Sequence, residues 1–179
     1  MPLKGMRNKI DQLDRKIVQL LNARTGFTLE IAAEKKKVGK SGYSSDREQE
    51  VLKNIAKINH GPLADSSLEA IYREIMSSSL SLGAKLKVGY LGPEATNSHL
   101  AALKRFGSQV EYIACNTIAN IFTEVEKGTA HYGVVPVENS VEGAVSHTLD
   151  MFTDSDLKIC SQIMLDVSHN LLAACTKDK

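Results

Sequence analysis

MRNKIDQLDRKIVQLLNARTGFTLEI, running from Met6 to Ile31, is the stretch on which the fold turns. Met6, Ile10, Leu13, Ile17, Leu20, Arg24, Phe27 and Ile31 follow one another at steps of 4, 3, 4, 3, 4, 3 and 4. That is the heptad spacing of a helical seam. No proline interrupts it, and Gly26 is the only glycine between residues 6 and 38. The spacing predicts one helix of ~34 residues, ~50 Å long. A short domain cannot cover so long an apolar stripe with its own chain. A second copy is therefore expected to supply a partner helix, in an intertwined homodimer built through this first helix.

Outward from this stretch the pattern breaks at Val38-Gly39 through Ser45, which brings two glycines and three serines. Ser45 with Glu48 at the third position after it is a capping-box signature. It predicts a second helix with Val51, Leu52, Ile55 and Ile58 on its apolar face, stopped by His60-Gly61-Pro62. A third helix, capped by Asp65 or Ser66, carries Leu68, Ile71, Ile75, Leu80 and Leu82 and ends near Gly83. Beyond Gly83 the period changes. A strand at 86–91 meets Gly92-Pro93, then come a helix at about 98–106 and a strand at 110–114. A helix at 118–127, a strand at 132–137, a helix at 141–152 and strands within 157–174 complete the reading. Strands alternating with helices imply an α/β sheet. The expected architecture is multidomain. An all-α three-helix domain covers 1–83 and an α/β lobe covers 84–179, joined only through Gly83–Lys85.

Composition is that of an ordinary globular chain: 179 residues, 42% apolar and 24% charged. No apolar run approaches the ~18 residues of a membrane span, and the first residues hold no signal-peptide core. Cys115, Cys160 and Cys175 are odd in number, far apart and without metal-ligand spacing, which fits free thiols and a cytoplasmic location. Residues 1–83 hold 14 Lys/Arg against 10 Asp/Glu, and residues 84–179 hold 8 against 11. That balance, with no aromatic stacking platform beside Lys35-Lys36-Lys37 and Lys40, argues against a nucleic-acid binder.

The residues that fit the seam least carry the chemistry. Arg24 occupies an apolar position, where an unpartnered guanidinium is costly. It either pairs with a carboxylate, snorkels outward, or serves an anion site inside a helical bundle. Lys35 favours the last, because 11 residues on it lies only ~20° off the face of Arg24. Two cations on one stripe repel unless something anionic sits between them. Arg7 lies ~100° away around the helix, so it cannot easily serve the same pocket in its own chain. In an antiparallel pair of long helices it reaches the pocket of the partner. Arg47 and Glu48 open the second helix, where a solvated charge and a cap are the ordinary roles.

These residues resemble a family. Arg7, Ile10-Asp11-Gln12-Leu13-Asp14, Leu20-Leu21-Asn22-Ala23-Arg24, Glu30-Ile31-Ala32, Lys35 and Asp46-Arg47-Glu48 resemble the all-helical chorismate mutase family. Ile71-Tyr72-Arg73-Glu74-Ile75-Met76-Ser77-Ser78-Ser79 is similar to its third helix. In the second half, Gly89-Tyr90-Leu91-Gly92-Pro93-Glu94-Ala95-Thr96-Asn97-Ser98-His99 and Gly133-Val134-Val135-Pro136-Val137-Glu138-Asn139-Ser140-Val141-Glu142-Gly143 are similar to the two opening motifs of prephenate dehydratase. The order resembles the bifunctional chorismate mutase–prephenate dehydratase family of phenylalanine synthesis.

The resemblance implies a cofactor-free, metal-free pericyclic rearrangement of chorismate to prephenate, driven by orientation and fixed charge. Arg24 and the partner's Arg7 would grip the two carboxylates. Lys35 would donate to the ether oxygen, Glu48 would accept from the substrate hydroxyl, and Arg47 and Ser79 would complete the polar wall. The family's Gln or Glu four residues after the third-helix Ser is Gly83 here, and loss of such a donor lowers turnover by ~10²–10³-fold. In the dehydratase half, Thr96, Ser98, Asn139, Ser140 and Gly143 form strand-to-helix turns that suit a carboxylate, or serve as helix caps alone. Ala95 stands where the family has Gly, and Asn97 where it has an aromatic residue. Nothing in 84–179 resembles the family's Thr-Arg-Phe motif or its regulatory ACT domain, so the lobe reads as incomplete and no dehydratase turnover is expected. Two alternatives compete with the mutase reading: a non-catalytic dimeric module binding a small carboxylate, and a purely structural helical adaptor.

Overall fold

The computed structural model describes residues 3–39, 44–139 and 143–168. Helix α1 (Leu3–Lys37) is one uninterrupted helix of 35 residues, and it buries none of them fully. Apart from Gly5 near its start, its half-buried positions are Leu21, Arg24, Thr25, Thr28, Ala32 and Lys35, one face at helical spacing. Helix α3 (Asp65–Ala84) packs there. The apolar seam faces elsewhere: Leu13, Ile17, Leu20, Phe27 and Ile31 are each 52–69% exposed. Chain-internal packing thus uses a face of mostly small and polar residues, Arg24 of the seam among them, and leaves the seam's apolar positions open.

Helix α2 (Ser45–Ile58) runs back along α3. Its cap is Ser44, not Ser45 as the spacing predicted. Ser44 Oγ accepts from the Arg47 amide at 3.5 Å, while Ser45 is the first helical residue and its hydroxyl is engaged by Arg105. The third-helix caps also need correction. Ala64 takes the N-cap position without a side-chain bond, and Asp65 instead accepts from Asn59 Nδ2 at 2.6 Å, closing the α2–α3 turn.

The α/β half holds three parallel strands in the order β2-β1-β3, with β1 (Lys87–Leu91) flanked by β2 (Glu111–Cys115) and β3 (Tyr132–Val134). Period-2 alternation explains its two faces. Val88 and Tyr90 face α4 (Asn97–Phe106), where Ala102 and Phe106 join them in the core with Leu86, Val110 and Val134. Gly89 pairs with Gly133 on the other face, beneath α5 (Ile118–Glu126). A Cβ on Gly133 would stand 2.5 Å from Ile121 Cγ2, so the absent side chain is what lets α5 sit this low.

Downstream the sequence expectation fails in part. β3 ends at Val134 rather than Val137. Of the helix expected over 141–152, residues 141–142 lie outside the described residues; β4 (Glu138–Asn139) pairs with β5 (Gly143–Ala144) in a short antiparallel ribbon, and α6 begins only at Ser146 and runs to Thr153. Gly143, at φ +78, turns the chain where a helix entry was expected. Residues 157–168 form no strand; residues 169–174 of that expectation lie outside the described residues.

The halves meet over more than the Gly83–Lys85 joint. Leu80 of α3 packs on the sheet core. Both carboxylate oxygens of Glu74 accept from the Ser108 amide, at 3.1 and 3.2 Å, and Ser77 Oγ accepts from the Gln109 amide at 3.0 Å. Gly107 (φ 77, ψ −177) occupies a backbone region that is essentially glycine's alone, and a Cβ there would lie 2.6 Å from Ser77 Cβ. Among the described residues, no helix is long and apolar enough to cross a membrane.

Candidate active site

The packing of α1 on α3 brings Arg24 to Ser79. Arg24 Nη1 donates to Ser79 Oγ at 3.5 Å, and that hydroxyl donates to the Ile75 carbonyl at 2.9 Å. Ser79 is 3% exposed, so Arg24 has a buried polar partner rather than a carboxylate. Gly83, one turn further along α3, lies against α1: a Cβ there would sit 3.5 Å from Ala32 Cβ and 3.7 Å from Leu29 Cδ2. Those are ordinary contacts, so a side chain fits. Lys35 is one turn beyond Ala32 and half-buried on the same face as Arg24. Arg24, Lys35, Ser79 and Gly83 therefore share the α1–α3 groove.

Three other expected residues lie apart. Arg7 is on the exposed part of α1, ~26 Å along the helix from Arg24. Arg47 turns to solvent and pairs with Glu50 at 2.7 Å, with side chains 66% and 58% exposed. Glu48 is buried and pairs with Arg105 of α4 at 2.6 Å. Arg105 had no role in the sequence reading, since a pair separated by 57 positions leaves no periodic trace. Breaking such a buried pair from one side costs ~3–5 kcal/mol. Two cavities of about 260 and 390 Å³ open elsewhere, one lined by residues that include Lys85, Gln109 and Glu111, the other by residues that include Gln49, Lys53 and Glu69. Neither is lined by Arg24, Lys35 or Ser79.

In the α/β half, the two quoted motifs leave the carboxyl ends of the adjacent parallel strands β1 and β3, where open α/β sheets bind ligands. Thr96 caps α4: its hydroxyl donates to the Leu91 carbonyl at 2.8 Å and accepts from the His99 amide at 3.3 Å. Ser98 follows in the first turn of α4, half-buried. Asn139 and Gly143 pair across the β4–β5 ribbon, and Ser140 lies outside the described residues. Inside the sheet edge, His99 stacks on Tyr90 at 4.6 Å between ring centroids, and its Nδ1 accepts from the Ala95 amide at 3.0 Å. Burial, with Glu94 and then Cys115 adding, raises the Tyr90 hydroxyl above the ordinary tyrosine range.

Comparison with known proteins places this geometry in a class. The prephenate dehydratase family model matches residues 88–179, and the chain belongs to that family. Residues 6–83 match the family model for chorismate mutase type II, so a mutase domain precedes the dehydratase lobe. The chain is 44% identical, over 96% of its length, to the bifunctional chorismate mutase/prephenate dehydratase of Aquifex aeolicus. It is 44% identical, over 97% of its length, to the protein of the same name from Pseudomonas aeruginosa. It spans about half of each relative, 49% in both cases. A solved chorismate mutase (Form II) from Thermus thermophilus is 29% identical, covers 46% of this chain and 94% of its own, and has a TM-score of 0.45.

Proposed function

We propose that the chain is a chorismate mutase, converting chorismate to prephenate by a pericyclic rearrangement, in a homodimer whose subunits share two active sites. The observation that carries the reading is the α1–α3 groove, where Arg24 reaches buried Ser79 on the face that also holds Lys35. A dianion between the two cations relieves their repulsion and supplies the acceptors that forked guanidinium bonds need.

Arg24 and the partner subunit's Arg7 hold the two carboxylates. Lys35 donates to the ether oxygen, where charge grows as the C–O bond breaks, so its contribution is larger in the transition state than in the ground state. Glu48 is assigned the substrate hydroxyl and Arg47, with Ser79, the rest of the polar wall; in the single chain Glu48 is turned to Arg105 and Arg47 to Glu50, so these two roles rest on the family resemblance and not on the groove. The reaction needs no proton transfer from these groups, and we propose no cofactor or metal for it. The mutase domain is taken as 1–83 and the dehydratase lobe as 84–179, with Thr96, Ser98, Asn139, Ser140 and Gly143 placed toward a prephenate carboxylate. The longer relatives support a place in phenylalanine biosynthesis, and the thiols a cytoplasmic location.

The test follows loss of chorismate absorbance with the purified chain. The expected result is cofactor-independent turnover to prephenate, lowered ~10²–10³-fold by Lys35→Ala while the unfolding midpoint barely moves. Turnover within a few-fold of the unsubstituted chain rejects the ether-oxygen role. Gly83, lacking the donor side chain, favours a second reading as a non-catalytic carboxylate-binding module; chorismate that binds but persists in the same assay would support it.

A further inference from the structure

We propose that His99 is a positioning residue and a pH-sensitive latch: with Nδ1 unprotonated it holds the Ala95 amide, and with it the carboxylate-binding form of the β1–α4 turn, and a proton on Nδ1 releases that turn. The inference rests on the reading above in which Thr96 and Ser98 face a prephenate carboxylate.

The turn leaves β1 at Leu91 and enters α4 at Asn97. Both of its ends are tied. The Gly92 amide donates to the Cys115 carbonyl at 2.8 Å, and the Thr96 hydroxyl donates to the Leu91 carbonyl at 2.8 Å. Between them Pro93, Glu94 and Ala95 are exposed. Ala95 sits at φ +64°, a left-handed backbone that a Cβ disfavours. Its amide donates to His99 Nδ1 at 3.0 Å. An amide nitrogen can only donate, so the bond exists only while that ring nitrogen carries no proton. Thr96 is the next residue, so the bond sets the backbone from which its hydroxyl projects.

The ring is held independently of the turn. It stacks on Tyr90 with centroids 4.6 Å apart and meets Tyr112 edge-on at 5.7 Å. Tyr90 is buried, and the Tyr112 hydroxyl donates to the Gly107 and Ala102 carbonyls. A proton on Nδ1 turns the acceptor into a second donor facing the amide, and the exposed turn yields rather than the packed ring. The titratable groups around the ring are Tyr90 on β1, Tyr112 and Cys115 on β2, and Glu94 in the turn. Burial above all holds both tyrosines and the cysteine above their ordinary ranges, so none of these three changes charge between pH 8 and 5. Lys104 and Arg105, the cations of α4, lie in its last turn, at the opposite end from the latch.

Nuclear magnetic resonance of the 15N-labelled whole chain between pH 8 and 5 tests this. The Ala95 amide and the His99 ring are expected to titrate with one midpoint, and the amide to lose ~10-fold of its exchange protection across it. His99→Asn, whose Oδ1 stands near the place of Nδ1, keeps the protection throughout, and His99→Ala lacks it throughout. Glu94→Gln leaves the transition in place. Prephenate is expected to shift the Thr96 and Ser98 amides and to bind there ~10-fold more weakly below the midpoint, a loss absent in His99→Asn. An Ala95 amide that ignores the His99 titration, one equally protected in His99→Ala, or a transition abolished by Glu94→Gln overturns the latch. So does prephenate binding that is constant below the midpoint, or tighter, as added positive charge alone would make it. Those outcomes leave the carboxylate reading standing. Prephenate that moves neither the Thr96 nor the Ser98 amide at any pH rejects that reading, and the binding role of the latch with it.

Discussion

Ala95 holds φ at +64° in the loop between β1 and α4. That left-handed conformation places a Cβ too near the following carbonyl and costs ~1–2 kcal/mol for a non-glycine residue. The position thus favours glycine for its backbone, and Ala95 meets that conformation under strain. The His99 Nδ1 contact to its amide helps to hold it there. Ala95→Gly is expected to stabilise the chain by ~0.5–1 kcal/mol after the added unfolded-state entropy of glycine is subtracted. Urea unfolding checks this, and an unchanged or lowered midpoint would mean that the loop carries no such strain. Gly83 is the opposite case. A Cβ there would meet α1 at ordinary contact distance and without strain, so the backbone does not require glycine at this position.

At the scale of elements, the three parallel strands each carry one tyrosine on or beside the core: Tyr90, Tyr112 and Tyr132. All three hydroxyls are held above the ordinary tyrosine range, first by burial. Glu94 and Cys115 add to the effect at Tyr90, Glu74 adds at Tyr112, and at Tyr132 Cys160 adds while Arg105 opposes. The Tyr112 hydroxyl also donates to the Gly107 and Ala102 carbonyls. The unfolded chain loses these protons near pH ~10 while the folded chain keeps them, so the folded state binds more protons above that pH. The stability these groups contribute is complete below pH ~10 and falls as the pH rises further. Urea midpoints measured between about pH 8 and 11 are expected to be flat at first and then to decline, with the onset of tyrosinate absorbance above pH ~10 in the folded chain. Tyrosinate appearing at pH ~10 without unfolding would show the sheet face to be open to water.

For the whole molecule, the open question left by one chain is what covers α1. Leu13, Ile17, Leu20, Phe27 and Ile31 are 52–69% exposed along one seam, and a contiguous apolar stripe of this kind marks an association surface. Heptad spacing suits another helix of the same pattern, and the proposed shared site takes its Arg7 from that partner. Ile17→Asp is expected to convert a dimer to monomers in sedimentation and to lower mutase turnover ~100-fold, because a clamp on the substrate is lost. Full activity in a stable unsubstituted monomer would reject the shared site.

What was legible in the sequence was periodic or local. Heptad steps from Met6 to Ile31 announced α1 because helix geometry writes itself into every third and fourth residue. Strands alternating with helices after Gly83 announced an α/β sheet, whose parallel order the structure supplied, and Arg24 and Lys35 stood out because charge does not belong on an apolar stripe. Cap positions slipped by one, from Ser45 to Ser44, because neighbouring serines offer the same hydroxyl. The β4–β5 ribbon was missed because two-residue strands carry no alternation to read. Only the tertiary structure decided which face of α1 meets α3 and that Arg105 grips Glu48. Those contacts join residues tens of positions apart, and their energy depends on burial and distance, quantities that exist only once the chain has folded.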